Sequence, residues 1–81
     1  MPERLTLFTG PSCRLCEDAK ALIYPHLGAD FCLTEMDVTS SLQTKKDYGL
    51  RIPVLRREHL SEELPWPFDS EMLARFLLAD G

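Results

Sequence analysis

Apolar positions fall along the chain in short runs of differing period, and the periods predict the elements. Leu5 to Thr9 is a short apolar run with threonines between, closed by Gly10-Pro11, which reads as a strand ended by a turn. From Cys13 to Tyr24, the residues Leu15, Ala19, Leu22 and Ile23 recur at i, i+4, i+7 and i+8, one face of a helix. Pro25 and Gly28 are expected to break that helix. Phe31 to Val38 carries apolar positions at Phe31 and Leu33, then at Met36 and Val38 after a one-residue slip, so a strand with a bulge is expected. Cys32 alternates with Phe31 and Leu33 and is expected as a small buried hydrophobe. Thr39-Ser40-Ser41 offers N-cap residues and Gly49 a C-terminal cap, which leaves Leu42 to Tyr48 as a short helix.

Ile52-Pro53-Val54-Leu55-Arg56 reads as a strand with proline at its entrance, where no ladder donor is needed. Arg57-Glu58 is expected as a tight turn into a second strand around His59 to Glu62. Leu64-Pro65-Trp66-Pro67-Phe68 is too proline-rich for a helix or a central strand. Asp69 is expected to cap a last helix with Met72, Leu73, Phe76 and Leu77 inward and a Glu71–Arg75 pair outside. The order is β-α-β-α-β-β-α. Crossover connections make the first two strands parallel and the short turn makes the last two antiparallel, an α/β architecture with a mixed sheet.

Length and composition narrow the function. The 81 residues make one domain, 1–81. With 44% hydrophobic and 27% charged residues, the composition is ordinary for a globular domain and argues against disorder. Lys and Arg number 9 against 13 Asp and Glu, a net charge of −4, the wrong sign for a phosphate-backbone binder, so no nucleic-acid partner is expected. No apolar run approaches the roughly 20 residues of a membrane span, and Met1-Pro2-Glu3-Arg4 has no signal-peptide core, so a cytoplasmic protein with no membrane partner is expected. The 3 cysteines cannot form a fully paired scaffold. In a reducing compartment, closely spaced cysteines are more often catalytic or metal-binding than structural.

Cys13-Arg14-Leu15-Cys16 follows a strand and turn and opens a helix. A helix N-terminus carries unpaired N–H groups and roughly half a positive charge, and both favour a thiolate. A cysteine so placed can fall from a pKa of about 8.5 to roughly 3.5–7.5. Arg14 adds positive charge beside it. Cys13 is then the nucleophile, and Cys16, three residues on and within disulfide reach, resolves the mixed disulfide. Other readings stay open: a structural disulfide, a half zinc site completed by Cys32, His26 or His59, a zinc or iron–sulfur site shared between chains, or inert cysteines on a binding module.

With these residues in hand, the chain resembles a glutaredoxin-like member of the thioredoxin superfamily. The element order, the Cys13-to-Cys16 motif at the first helix and Ile52-Pro53 before the third strand carry the resemblance over nearly the whole length. The short length and the Trp66-Pro67-Phe68-Asp69 segment look closest to a short bacterial glutaredoxin-like branch. The resemblance implies a thioredoxin-like three-layer fold of four strands and three helices, and thiol–disulfide oxidoreductase activity. It implies a cis bond at Pro53 and an Ile52 backbone that pairs with an extended substrate or with glutathione. Ser12, Arg14, Leu15, Ile52, Pro53 and Asp69 are accordingly expected around the substrate. No cofactor or metal is expected to be bound. Glutathione is expected as co-substrate, a disulfide-bearing protein or a glutathione-type thiol as partner, and the chain as a monomer.

The chain departs from the glutaredoxin pattern in three places. Gly10 stands where a basic residue is common, Arg14-Leu15 stands between the cysteines in place of Pro-Tyr or Pro-Phe, and Leu64 to Phe68 replaces a Gly-Gly turn. These departures motivate the alternative of a binding module of thioredoxin fold. Elsewhere, Lys45, Lys46, Arg51, Arg56 and Arg57 are expected as a solvated basic face. His26 and His59 are expected on surface loops, Trp66 as a cap on the core, and Tyr24 and Tyr48 as helix-end packing residues.

Overall fold

The computed structural model describes residues 2–78, so Met1 and residues 79–81 of the expected domain lie outside the described residues. Strand β1 runs Glu3–Thr9, helix α1 Arg14–Leu27, strand β2 Phe31–Asp37, helix α2 Leu42–Tyr48, strand β3 Val54–Arg57, strand β4 Glu62–Pro65 and helix α3 Ser70–Leu78. Two short 3₁₀ turns, Gly28–Asp30 and Val38–Ser40, flank β2. The strands form one sheet in the order β2-β1-β3-β4. β1 and β2 are parallel, and β3 is antiparallel to both β1 and β4. This is the α/β thioredoxin-like fold expected from the sequence.

The pleat sorts side chains into two layers. Leu5 and Leu7 of β1 and Leu55 of β3 face α1 and α3, where they pack with Ala19, Ile23, Leu27, Phe68, Leu73 and Leu77. Alternate residues Phe8 and Val54 face the other way and meet Val38, Tyr48 and Ile52. Tyr48, at the end of α2, stacks on Phe8 with ring centroids 3.9 Å apart. Its hydroxyl donates to Glu63 and accepts from Arg56, so α2 is pinned to the β3–β4 hairpin. Trp66 packs against the first core and meets Phe68 edge-on at 5.0 Å, at one end of that core as expected.

Several expectations are corrected. Helix α1 does not stop at Pro25 but carries it within its last turn and ends at Leu27. The buried set Cys16, Ala19, Ile23 and Leu27 explains why, since continuing the helix buries Leu27 while Pro25 stays exposed. Leu15, expected on the inner face, is 50% exposed, and Cys16 takes the inner position. His26 is therefore a helix residue rather than a loop residue, with Nε2 2.9 Å from Ser70 Oγ on α3. β2 has no bulge: its register against β1 is unbroken from Phe31 to Asp37. The slip in the pattern arises because Val38 belongs to the 3₁₀ turn, which the Asp37 carboxylate caps by accepting the Thr39 N–H. Cys32 is exposed, not buried. It pairs with exposed Arg4 at the end of the sheet away from Phe8 and Tyr48, where the short α2 leaves this face open.

The hairpin also shifts. β3 extends through Arg57, the turn is Glu58–Ser61, and β4 is Glu62–Pro65 rather than His59 to Glu62. Arg57 is drawn into the strand because its guanidinium is only 4% exposed, pairing with Glu3 and donating to the Phe76 carbonyl of α3. It is thus not part of a solvated basic face. Pro65 is tolerated in β4 because β4 is an edge strand. The caps fall where expected: Ser41 Oγ accepts the Thr44 N–H, Asp69 Oδ1 accepts the Met72 N–H, and Glu71 pairs with Arg75 at 2.7 Å.

Candidate active site

β1 delivers the chain to Thr9, and Gly10 to Cys13 turn it into α1. At Gly10 a Cβ would lie 2.7 Å from Ile52 Cδ1, so glycine lets the loop before β3 approach this turn. Ser12 sits in the left-handed region with φ 54°. That conformation costs a non-glycine residue about 1 kcal/mol or more, and such strain is commonly kept where it aims a neighbour. Here the neighbour is Cys13, the N-cap of α1, whose Sγ accepts the Cys16 N–H at 3.1 Å. The Cys13 carbonyl accepts the Glu17 N–H. One donor of the helix start is therefore aimed at the sulfur itself.

The two sulfurs lie at disulfide-bonding distance, with Cα atoms 5.2 Å apart. Their surroundings differ. Cys16 is 2% exposed and Cys13 is half-buried at the surface. An open groove of about 420 Å³ runs past them, lined by Thr9, Gly10, Ser12, Arg14, Glu17 and Lys20 as well as the cysteines. Lys20 pairs with Glu17 at 2.5 Å and with Glu35 of β2 at 3.2 Å, and those bonds raise its pKa. Glu35 is held low, first by the Tyr24 hydroxyl and then by Lys20, while the same bond pushes the Tyr24 phenol up. One wall of the groove thus carries a fixed charge network tying α1 to β2.

Of the other expected site residues, Ser12 and the exposed Arg14 line the groove. Leu15 is half-exposed and is not part of the groove lining. Ile52 reaches the site through its contact with Gly10, and Pro53 behind it is buried. The Ile52–Pro53 bond is cis, as is Trp66–Pro67. The Pro53 carbonyl accepts the Trp66 N–H at 3.1 Å, whereas Ile52's backbone groups enter none of the turn or loop hydrogen bonds among the described residues. Asp69 lies at the start of α3, where its carboxylate caps the helix. The sequence reading missed Thr9, Glu17 and Lys20. Lys20, four residues after Cys16 and three after Glu17, was detectable by helical spacing; Thr9 was not. Among the described residues no group of three or more His, Cys, Asp or Glu side chains is placed to hold a metal. No helix among them is long and apolar enough to cross a membrane.

The fold and a cysteine pair at the head of its first helix define a thioredoxin-superfamily protein of the glutaredoxin-like kind. The family model of the Glutaredoxin-like domain (DUF836) matches residues 4–78, and the chain belongs to that family. It is similar to the Northeast Structural Genomics target protein XcR50 from X. campestris. The X-ray structure of that protein is 30% identical, with a TM-score of 0.79 over 94% of this chain and 99% of that one. Its solution structure gives 31% identity and a TM-score of 0.72 over 94% of this chain and 95% of that one. Comparison with curated proteins returns no match.

Proposed function

We propose that the protein is a thiol–disulfide oxidoreductase using Cys13 and Cys16 as its redox pair. The observation that carries this reading is the asymmetry of the two sulfurs. Cys13 is at the surface of a groove with an amide N–H aimed at it, and Cys16 is buried behind it. In the reduced protein that N–H and the helix field favour the Cys13 thiolate. The thiolate attacks one sulfur of a substrate disulfide, forming a mixed disulfide and releasing the other sulfur as a thiolate. Cys16 passes its proton to the groove it lines, where the released thiolate takes it up, and its sulfur attacks Cys13 Sγ, closing the Cys13–Cys16 bond and expelling the second substrate sulfur as a thiolate. Two electrons pass to the substrate, and a thiol donor such as glutathione or a thiol protein returns them.

Ile52 is assigned the role of backbone clamp: its side chain approaches Gly10 of the Cys13 turn and its backbone groups enter none of the turn or loop hydrogen bonds among the described residues, which supports their pairing with an extended substrate as an added strand would. Ser12 and Arg14 border the same opening, and Leu15 is exposed next to Arg14 in the chain. Asp69 is assigned to helix capping and, through its remaining oxygen, to polar contact with substrate. The assay uses a small dialkyl disulfide and a peptide–glutathione mixed disulfide, followed by mass spectrometry. Cys13→Ser is expected to abolish reduction and mixed-disulfide formation, and Cys16→Ser to accumulate the mixed disulfide on Cys13. Full reductase activity in both variants would sink the mechanism.

A further inference from the structure

Helix α2 buries none of its own residues. Its Leu42 is 87% exposed, and Leu50, just past its end, is fully exposed. With Lys45, Lys46 and Gly49 these leucines line one shallow groove of about 510 Å³. The neighbouring arginines are occupied: Arg51 by the Asp47 carbonyl and Glu63, Arg56 by Glu63, Glu58 and Tyr48. Among the described residues, neither Lys45 nor Lys46 has a side-chain hydrogen bond or ion pair. Two uncompensated cations therefore sit between two solvated leucines on a chain whose net charge is −4. Gly49 lets the helix end close tightly beside the groove, because a Cβ there would lie 2.4 Å from the Lys45 carbonyl oxygen. Leu50 stands two residues before Ile52, whose side chain approaches Gly10 of the turn that leads to Cys13.

We propose that this groove docks an acidic segment bearing aliphatic side chains on the protein whose disulfide Cys13 attacks, an inference that rests on the oxidoreductase reading above. The leucines supply apolar area that water leaves on contact, and the lysines select carboxylates flanking it. A short peptide feels mainly the charges within a Debye length of about 8 Å, where Lys45, Lys46 and Arg51 outnumber Asp47 along this stretch of chain. An extended anionic membrane surface would instead meet the whole molecule's net charge of −4.

The test is an NMR titration of the full chain, reduced and oxidised, with three probes. One is a cysteine-free peptide alternating glutamates with leucines, another is the same peptide with lysine for glutamate, and the last is phosphatidylserine vesicles. The acidic peptide is expected to shift the Leu42, Lys45, Lys46 and Leu50 amides. The K45E/K46E variant, its spectrum unchanged away from α2, is expected to weaken that binding about tenfold or more. Leu50→Ser is expected to weaken it as well. Equal response to both peptides, shifts confined elsewhere, an unaffected K45E/K46E variant, or binding to vesicles alone would overturn the proposal. Since the peptides carry no cysteine, the titration reads docking only. The thiol chemistry stands or falls on the small-disulfide assay.

Discussion

Arg57 carries a full charge at 4% exposure, so its partners decide whether the end of the sheet holds. Glu3 supplies the neutralising carboxylate, and the Phe76 carbonyl takes another donor. The Arg57 guanidinium holds the Glu3 carboxyl below its usual value of 4.5. For a lowered carboxylate pKa, the stabilisation is complete above the unfolded value and is lost as pH falls through the folded one. Glu3→Gln is therefore expected to lower stability at pH 7 by about 1–3 kcal/mol. Urea unfolding at pH 7 and pH 3 should show the gap between variant and wild type closing in acid. A gap independent of pH would remove Glu3 as the titrating partner. At this scale the sequence was legible where the chemistry is local. Ser41, Asp69 and the Glu71–Arg75 pair act through neighbours three or four residues away. Arg57 and Cys32 were not legible, because each depends on what another element covers. α3 covers Arg57, whereas α2 is too short to cover Cys32.

At the scale of elements, the caps and connections set the site. Asp69 binds the Met72 N–H through its side chain and the Leu73 N–H through its carbonyl. Asp69→Ala is expected to destabilise the protein by about 1 kcal/mol, lowering Tm by roughly 4–8 °C, and Asp69→Asn to restore most of the loss. If disulfide reduction by Asp69→Asn falls while Tm holds, the carboxylate also contacts substrate. Pro25 makes the opposite test in α1. The ring removes one helix donor, whereas its rigidity restrains the unfolded chain. Pro25→Ala is expected to raise stability by about 1–2 kcal/mol, the balance of those effects, as read by thermal unfolding. A loss of stability would mean the proline fits this helix end without penalty. Helix and strand types were readable from periodicity and caps. The hairpin boundaries were not, because Arg57-Glu58 has turn-like polarity while the actual turn runs Glu58–Ser61 and holds Ser61 at φ 53°.

Across the whole molecule, two apolar layers lie on opposite faces of one sheet, and the Cα radius of gyration is 12.0 Å. A compact chain of this length is expected at roughly 11.7 Å, so the described residues form a single closely packed body. Total stability for such a size is roughly 4–12 kcal/mol. Ile23 is fully buried in the larger layer. Ile23→Ala should remove about 2–5 kcal/mol, a large share of that total, and a shift in the urea midpoint measures it. The groove at Cys13 is a product of this scale. The cysteine pair and its helix start were legible from four consecutive residues. The approach of Ile52 to Gly10 and the Lys20–Glu35 link needed the assembled sheet.

The central claim, that Cys13 and Cys16 form a reversible redox centre, is tested most directly by a redox titration. The protein is equilibrated in a series of glutathione buffers, free thiols are trapped by alkylation, and each cysteine is read by mass spectrometry. The account predicts a two-electron transition of the Cys13–Cys16 pair with a midpoint between about −270 and −180 mV. A pair that stays reduced at every poise, or oxidised at every poise, would contradict it.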